Sequence, residues 1–359
     1  MAEVKDILAK AQQDKRLTLA EGVKLLASDK LLAIGKAADR VRRRLHSENK
    51  VTFAIDRNIN YTNVCEAGCK FCAFYQQLND SEAYLLEHDE IFRKIEETIE
   101  LGGTQILMQG GLHPKLDIDY YLELFRAIKE RFKIHLHSLS PPEIAYIAQQ
   151  SNLTLKETLT RLQQAGLDSL PGGGAEMLVD RVREEISPNK VTSDEWLEVM
   201  QTAHEIGMRS TATMMFGSIE TLADRIEHLI KIRKLQDKTG GFTAFIPWAF
   251  QPTNTALEDH PKVSKVTGSE YLKMVAVARI VLDNVDNIQA SWVTQGAKVA
   301  QVSLEFGVND FGSTMIEENV VKAAGASYRV PLEKIVELIK DTGRRPVQRN
   351  TLYQELKGY

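Results

Sequence analysis

The sequence predicts an α/β protein: a closed barrel of eight β/α units, with helices ahead of it and a helix behind it. Three observations predict it. From residue 51 onward, short apolar runs alternate with longer amphipathic segments. Alternation of this kind implies parallel strands joined by right-handed crossovers. Eight such units in about 260 residues match the size of a closed β/α barrel, with an open doubly wound sheet as the alternative. Glycines stand at the joints: Gly102-Gly103, Gly166, Gly207 and Gly240-Gly241 follow helix-like segments and precede strand-like ones, where helix C-caps belong.

The expected strands are Val51–Ile55, Thr104–Met108, Ile134–His137, Leu167–Leu170, Ser210–Thr213, Thr243–Pro247, Ile288–Ser291 and Phe306–Asn309. The helices between them are His88–Leu101, Tyr120–Phe132, Leu155–Ala165, Asp194–Ile206, Leu222–Leu235, Tyr271–Leu282 and Thr294–Leu304. Residues 1–48 read as a helical extension, in which Leu19, Val23 and Leu26 recur at helical spacing after a Thr18 cap. The barrel is expected over 49–326. Residues 327–359 read as a helical tail around one helix, Pro331 to Asp341.

Composition narrows the function classes. Hydrophobic residues make up 43% and charged residues 26%, which excludes a disordered or collagen-like chain. The net charge of −4 gives no pull toward nucleic acid or anionic lipid. Arg42-Arg43-Arg44, beside Asp39 and Glu48, reads as a solvated helix face. No apolar run approaches the ~18 residues of a membrane span, and the first residues carry acids without an apolar stretch. The expectation is a cytoplasmic protein with no membrane and no nucleic-acid partner.

The three cysteines, Cys65, Cys69 and Cys72, lie within eight residues in a C-x3-C-x2-C pattern. An odd, clustered set in such a chain is not a disulfide framework. The cluster follows the first strand by a short loop, so a barrel would hold it at the C-terminal mouth, where active sites lie. Three thiolates suit three corners of a 4Fe–4S cubane whose fourth iron is open to a small molecule, since the chain has no fourth cysteine. The residues alone also allow zinc completed by His88 or His113, a Cys69–Cys72 redox pair, or three inert thiols.

At this motif the chain resembles the radical S-adenosylmethionine (SAM) superfamily, on Cys65, Cys69, Phe71 and Cys72. Asp56-Arg57-Asn58-Ile59-Asn60-Tyr61-Thr62-Asn63 before the cysteines and Ala73-Phe74-Tyr75 after them resemble one subgroup, the futalosine enzymes of menaquinone biosynthesis and the deazaflavin synthases. Further stretches agree, from Met108-Gln109-Gly110-Gly111-Leu112-His113-Pro114 and Ser138-Leu139-Ser140-Pro141-Pro142-Glu143 to Gly172-Gly173-Gly174-Ala175-Glu176 and Gly307 to Thr314. Trp248-Ala249-Phe250-Gln251-Pro252 most resembles the cyclic dehypoxanthine futalosine synthase family within it. The resemblance covers roughly residues 45–330. It departs from the superfamily at Gly110-Gly111, which lacks the usual following glutamate.

The resemblance implies a radical SAM barrel that binds a 4Fe–4S cluster through Cys65, Cys69 and Cys72, with SAM on the fourth iron. Phe71, Tyr75, Gly110, Gly111, Ser140 and Glu176 become cofactor-binding candidates. Glu176 is read against a plain turn carboxylate, and Gly110-Gly111 against an ordinary βα turn. For the substrate, Arg181 and Lys190 offer cations to a carboxylate, with a capped helix start as the plain alternative. Trp248 and Phe250 offer aromatic faces, or mouth packing. Asn309, Asp310 and Thr314, at the expected end of the eighth strand, offer partners to hydroxyls. His135 and His137 alternate on one strand and so share a face; with His113 they are the candidates for proton transfer, read against packing histidines.

The implied reaction is a radical cyclisation of dehypoxanthine futalosine, fed by an electron donor such as a flavodoxin or ferredoxin. Aminofutalosine synthase and deazaflavin synthase chemistry are the rival enzymatic readings, and a non-catalytic metal-binding protein is the rival of another class.

Overall fold

The computed structural model describes residues 3–13, 15–326 and 328–359; the expected extension and tail therefore include residues 1, 2, 14 and 327, which lie outside the described ones. Eleven strands are present among the described residues. In chain order they are β1 (Lys50–Ala54), β2 (Asn58–Ile59), β3 (Gln105–Met108), β4 (His135–Ser138), β5 (Ser169–Leu170), β6 (Arg209–Phe216), β7 (Phe242–Ala249), β8 (Asn287–Ile288), β9 (Asp310–Ser313), β10 (Arg345–Arg349) and β11 (Glu355–Gly358).

Strands β2 to β8 form one parallel sheet in sequence order. A second sheet runs β11-β10-β1-β9. The two close on each other at both edges. Asn309 N donates to Ile288 O at 3.2 Å and Ala290 N to Asp310 O at 2.9 Å, which couples β8 to β9. Strands β1 and β2 are consecutive pieces of one extended segment, and Leu107 N donates to Arg57 O at 3.0 Å. Counting β1–β2 as one staff, eight parallel staves make the (β/α)8 barrel.

Alternation along each staff explains how the sequence makes this ring. On β3, Ile106 and Met108 are buried outward under the helices, while Gln105 and Leu107 face the lumen. On β6, Ala212 and Met214 point outward and Thr211 and Thr213 inward. Side-chain caps set where several surrounding helices start; the helix expected from Tyr271 begins three residues earlier, at Gly268. Thr154, Thr192, Thr221 and Thr267 each form a capping box with the acid three residues on. Thr18 does the same with Glu21 ahead of the barrel. Helices Leu19–Ala27 and Leu31–Leu45 pack on the outer helices Leu222–Thr239 and Gly268–Val281.

Three expectations are corrected. The eighth strand is Asp310–Ser313, not Phe306–Asn309: Leu304–Phe306 is a 3-10 turn ending at Gly307, whose φ of 92° reverses the chain before the strand begins. Arg42 is not on a solvated face; it is buried and donates to Asp39 at 2.7 Å. The C-terminal segment is not only helical. After the helix Leu332–Lys340 it returns as β10, parallel to β1 from Lys50↔Arg345 to Phe53↔Gln348, and then turns back as β11. Its pairing partner lies almost 300 residues away, so no local pattern announces it.

Candidate active site at the mouth and lumen of the barrel

A cavity of about 410 Å³ runs from the C-terminal mouth into the lumen. All three cysteines line its upper end. Gly68, with φ of 55°, turns the loop between Cys65 and Cys69. The next strand's exit presses against it. Leu112 N donates to Cys65 Sγ at 3.3 Å and Gly111 N to Thr62 O at 3.2 Å. A side chain at Gly111 would meet Val64 O at 2.1 Å, so only glycine permits this approach. Burial pushes the Cys69 thiol up to about 12 and the Cys72 thiol in the same direction. A bare thiolate is thus disfavoured, and a metal that replaces the proton would be welcome.

Lys190 answers that charge. Its Nζ lies 2.7 Å from Glu176 Oε1 and 5.1 Å from the centre of the Phe71 ring. Burial opposes its charge, but Cys69 and Glu176 outweigh it, and the ammonium is held well above its ordinary range. A fixed cation beside the thiols stabilises an anionic thiolate cluster. Glu176 stands before the next helix, not in it. It sits in an irregular loop at φ of 37°, and the helix begins only at Asp180.

The mouth contains a second acid that the motif reading missed. Glu143 is fully enclosed, and burial raises its carboxyl above the usual range. Its Oε1 accepts from Gly110 N at 3.0 Å and Tyr61 Oη at 2.9 Å; its Oε2 accepts from Ser140 N at 2.7 Å and Ser140 Oγ at 2.6 Å. One carboxylate thereby ties the glycine turn, the entry to the cysteine loop and the helix Pro141–Gln150 together. The signal was present as a Ser-x-x-Glu capping box around Pro141-Pro142.

The structure brings many of the expected residues to this cavity. Phe71, Tyr75, Gly110, Gly111, Ser140, Glu176, Lys190, His137 and Trp248 all line it with the cysteines. Others lie elsewhere. Arg181 pairs with Asp224 at 2.5 Å on the outside. Phe250 is buried behind the wall. Asn309 is occupied by Arg279 Nη2 at 2.6 Å and Ile288 N at 2.9 Å. Thr314 Oγ1 accepts from Asp56 N at 3.3 Å. His113 Nδ1 accepts from Lys115 N at 3.2 Å and does not line the cavity. His135 and His137 both reach Ser169 Oγ at 2.7 Å, but only His137 lines the cavity. His88 packs between Phe92 and Tyr120. Among the described residues no three His, Cys, Asp or Glu side chains converge on one ion-sized point.

Asp310 belongs to the floor, not to the free lining. It accepts Thr52 Oγ1 at 2.5 Å, and Arg349 Nε and Nη2 at 2.5 and 3.0 Å. Arg349 comes from β10 and lies 3.9 Å over the Tyr353 ring. With Gln105, Gln289 and Thr351 it makes the lower lumen polar. Arg349, Gln105, Gln289 and Thr351 carry no motif, and sequence reasoning passed over these four.

The comparisons agree with this geometry. Residues 59–232 match the family model described as Radical SAM superfamily, and residues 239–358 match that described as CofH/MqnC C-terminal region. The chain is 48% identical to the cyclic dehypoxanthine futalosine synthase of Halalkalibacterium halodurans, over 98% of this chain and 95% of that protein.

The chain belongs to the radical SAM superfamily.

Within that superfamily it belongs to the branch that carries the CofH/MqnC C-terminal region, which here spans β7 to β11. A second relative in the branch is the 5-amino-6-(D-ribitylamino)uracil–L-tyrosine 4-hydroxyphenyl transferase of Methanothermobacter thermautotrophicus, 43% identical over 98% of each chain. The barrel itself is similar to that of the FeFe-hydrogenase maturase HydG from Carboxydothermus hydrogenoformans, with a TM-score of 0.78 over 98% of this chain and 80% of that one. At 20% identity that likeness concerns the fold alone. The protein is a radical SAM enzyme, and membership implies a 4Fe–4S cluster and SAM as its cofactors. None of the helices among the described residues is long and apolar enough to cross a membrane.

Proposed function

We propose that the protein cyclises dehypoxanthine futalosine in the menaquinone route. The observation that carries this reading is the near-full-length relationship to a cyclic dehypoxanthine futalosine synthase, 48% identical across 98% of the chain. The residues fit the implied cofactors: three thiols in one loop, a glycine turn packed against them and a fixed cation beside them. Cys65, Cys69 and Cys72 would hold the cluster. When bound, the cluster and SAM supply a 5′-deoxyadenosyl radical, which removes the hydrogen atom from ribose C4′ of the substrate.

The chain's own work is orientation and exclusion. Glu143 locks Gly110 and the cysteine-loop entry into one rigid edge. Lys190 and Glu176 fix the opposite edge. Trp248, on β7, offers the substrate's benzoate ring a flat apolar face, and Thr211 and Thr213 offer hydroxyls on the neighbouring staff. Holding C4′ over the ring converts an improbable encounter into an intramolecular bond formation. The enclosed lumen keeps water from the carbon radical. A flavodoxin or ferredoxin is the electron donor this reading expects.

The 43% relationship to the hydroxyphenyl transferase, over 98% of each chain, favours one second reading: 4-hydroxyphenyl transfer between L-tyrosine and 5-amino-6-(D-ribitylamino)uracil. One experiment separates them. The protein is purified without oxygen, reconstituted with iron and sulfide, reduced with dithionite, and given SAM with each substrate set in turn. Cyclisation releases 5′-deoxyadenosine and a product lighter than dehypoxanthine futalosine by two hydrogen atoms. A product only with tyrosine and the uracil overturns the cyclase reading and installs the second.

A further inference from the structure

Cyclisation of this kind must dispose of one ring proton. Among the described residues, four carboxylates and one imidazole line the cavity: Asp56, Glu143, Glu176, Glu318 and His137. Three of the carboxylates are committed. Glu143 already accepts four donors. Glu176 is paired with Lys190 at 2.7 Å. Glu318 accepts the backbone N–H groups of Val320, Val321 and Lys322 at the start of a short helix. His137 Nδ1 shares a hydrogen bond with Ser169 Oγ at 2.7 Å, and burial holds the imidazole down to about 3, which leaves it a poor proton acceptor.

Asp56 differs from all of these. It is buried just beyond β1, and its Oδ2 accepts from Gln105 Nε2 at 3.0 Å. Gln105 is itself held by Thr351 Oγ1 at 2.7 Å, so the carboxylate has a fixed orientation. Its Oδ1 is buried and has no hydrogen-bond partner. Two residues on, and therefore on the same lumen face, Asn58 Oδ1 is also buried without a partner. Two buried acceptors on one wall of the cavity thus lack a protein donor, whereas the other lining carboxylates are paired. Burial strengthens the hold of Asp56 on a proton; Ser313, Gln105 and the Arg349 charge act against it.

We infer that Asp56 is the base that receives the aromatic-ring proton, through its unpaired Oδ1. This inference rests on the cyclase reading given above. After the C4′ hydrogen atom has been removed, C4′ bonds to a ring carbon and leaves a cyclohexadienyl radical. The C–H bond at that ring carbon then breaks. Its proton passes to Asp56 Oδ1, and one electron passes to a one-electron acceptor of the iron–sulfur class. The ring is aromatic again, and the product lacks two hydrogen atoms of the substrate.

The test is Asp56→Asn in the reconstituted enzyme, with substrate carrying deuterium at C4′. Iron content, thermal midpoint and substrate binding without reductant check that the variant is folded and loaded. Deuterium should still reach 5′-deoxyadenosine within about threefold of the wild-type rate, while cyclised product per deoxyadenosine falls about 100-fold. Substrate deuterated on the ring should show a rate isotope effect in the variant that the wild type lacks, and Asp56→Glu should recover part of the product yield. Undiminished product from Asp56→Asn overturns the inference. So does loss of deuterium transfer, which would make Asp56 a positioning residue, and so does uncoupling by His137→Gln but not by Asp56→Asn. A wild-type enzyme that neither transfers deuterium nor consumes the substrate overturns the cyclase reading itself, and the inference with it.

Discussion

The mouth and the floor of the barrel are built by opposite means. At the mouth, the chemistry comes from one short loop: Cys65, Cys69 and Cys72 within eight residues, with Gly110 and Gly111 pressed against them through backbone groups. At the floor, the polar groups come from the two ends of the chain. Thr52 on β1, Asp310 on β9 and Arg349 on β10 meet in one buried network, with sequence separations of 258 and 39 residues between the bonded pairs. The mouth depends on glycine and thiol identity at fixed spacing. The floor depends on charge complementarity between segments that only folding brings together.

The sharpest way to break this comparison is to remove a thiol. Cys69→Ser should reduce 5′-deoxyadenosine formation to the level of cluster-free protein, while the barrel stays folded. Iron content and circular dichroism together check this. If the variant unfolds instead, mouth and floor are one structural unit and the contrast fails.

The floor should respond in the reverse manner. Arg349→Met leaves Asp310 buried without its bidentate partner. Breaking one side of such a pair costs about 3–5 kcal/mol. The denaturation midpoint should drop accordingly, and adding Asp310→Asn should recover part of the loss. A loss no larger than that of an exposed pair would show the floor to be more open than its burial implies.

Gly111→Ala sharpens the mouth. The new methyl group would press on Val64 O, and overpacking of this kind costs about 1–3 kcal/mol. The effect should fall on cluster retention more than on the global midpoint. Iron release to a chelator, followed beside thermal unfolding, distinguishes the two.

The smallest effect concerns the shell shared by both regions. Burial holds His228 down to about 3, against an ordinary value of 6.5, and its Nδ1 accepts from Leu178 N at 2.9 Å. Between those values the unfolded chain binds a proton that the folded chain refuses. Stability therefore falls as pH drops through that window, by up to roughly 1.4 kcal/mol per pH unit for this group. His228→Gln should flatten the slope of the thermal midpoint against pH below 6.5. An unchanged slope would assign the acid sensitivity to other groups.

Much of this protein was legible in its residues alone. The eight-fold alternation of apolar and amphipathic segments set the barrel, because period-2 and period-3.6 burial are local properties of a chain. The cysteine spacing set the chemistry at the mouth, because one loop holds all three ligands. Thr18 announced its helix through its own side chain. Even Glu143 had a readable cap, although not a readable function.

What tertiary structure alone decided lies where distant segments meet. It moved the eighth strand to Asp310–Ser313 and wedged β10 beside β1. It turned Asp310 from a candidate for substrate hydroxyls into the partner of Arg349. It withdrew Arg181, Asn309 and His113 from the cavity and left one buried oxygen of Asp56 unpaired in its wall. Polar side chains have no periodicity of their own that says which partner they find. Whether a buried acid is satisfied or left free depends on groups tens or hundreds of residues away, and only the closed barrel brings those groups into reach.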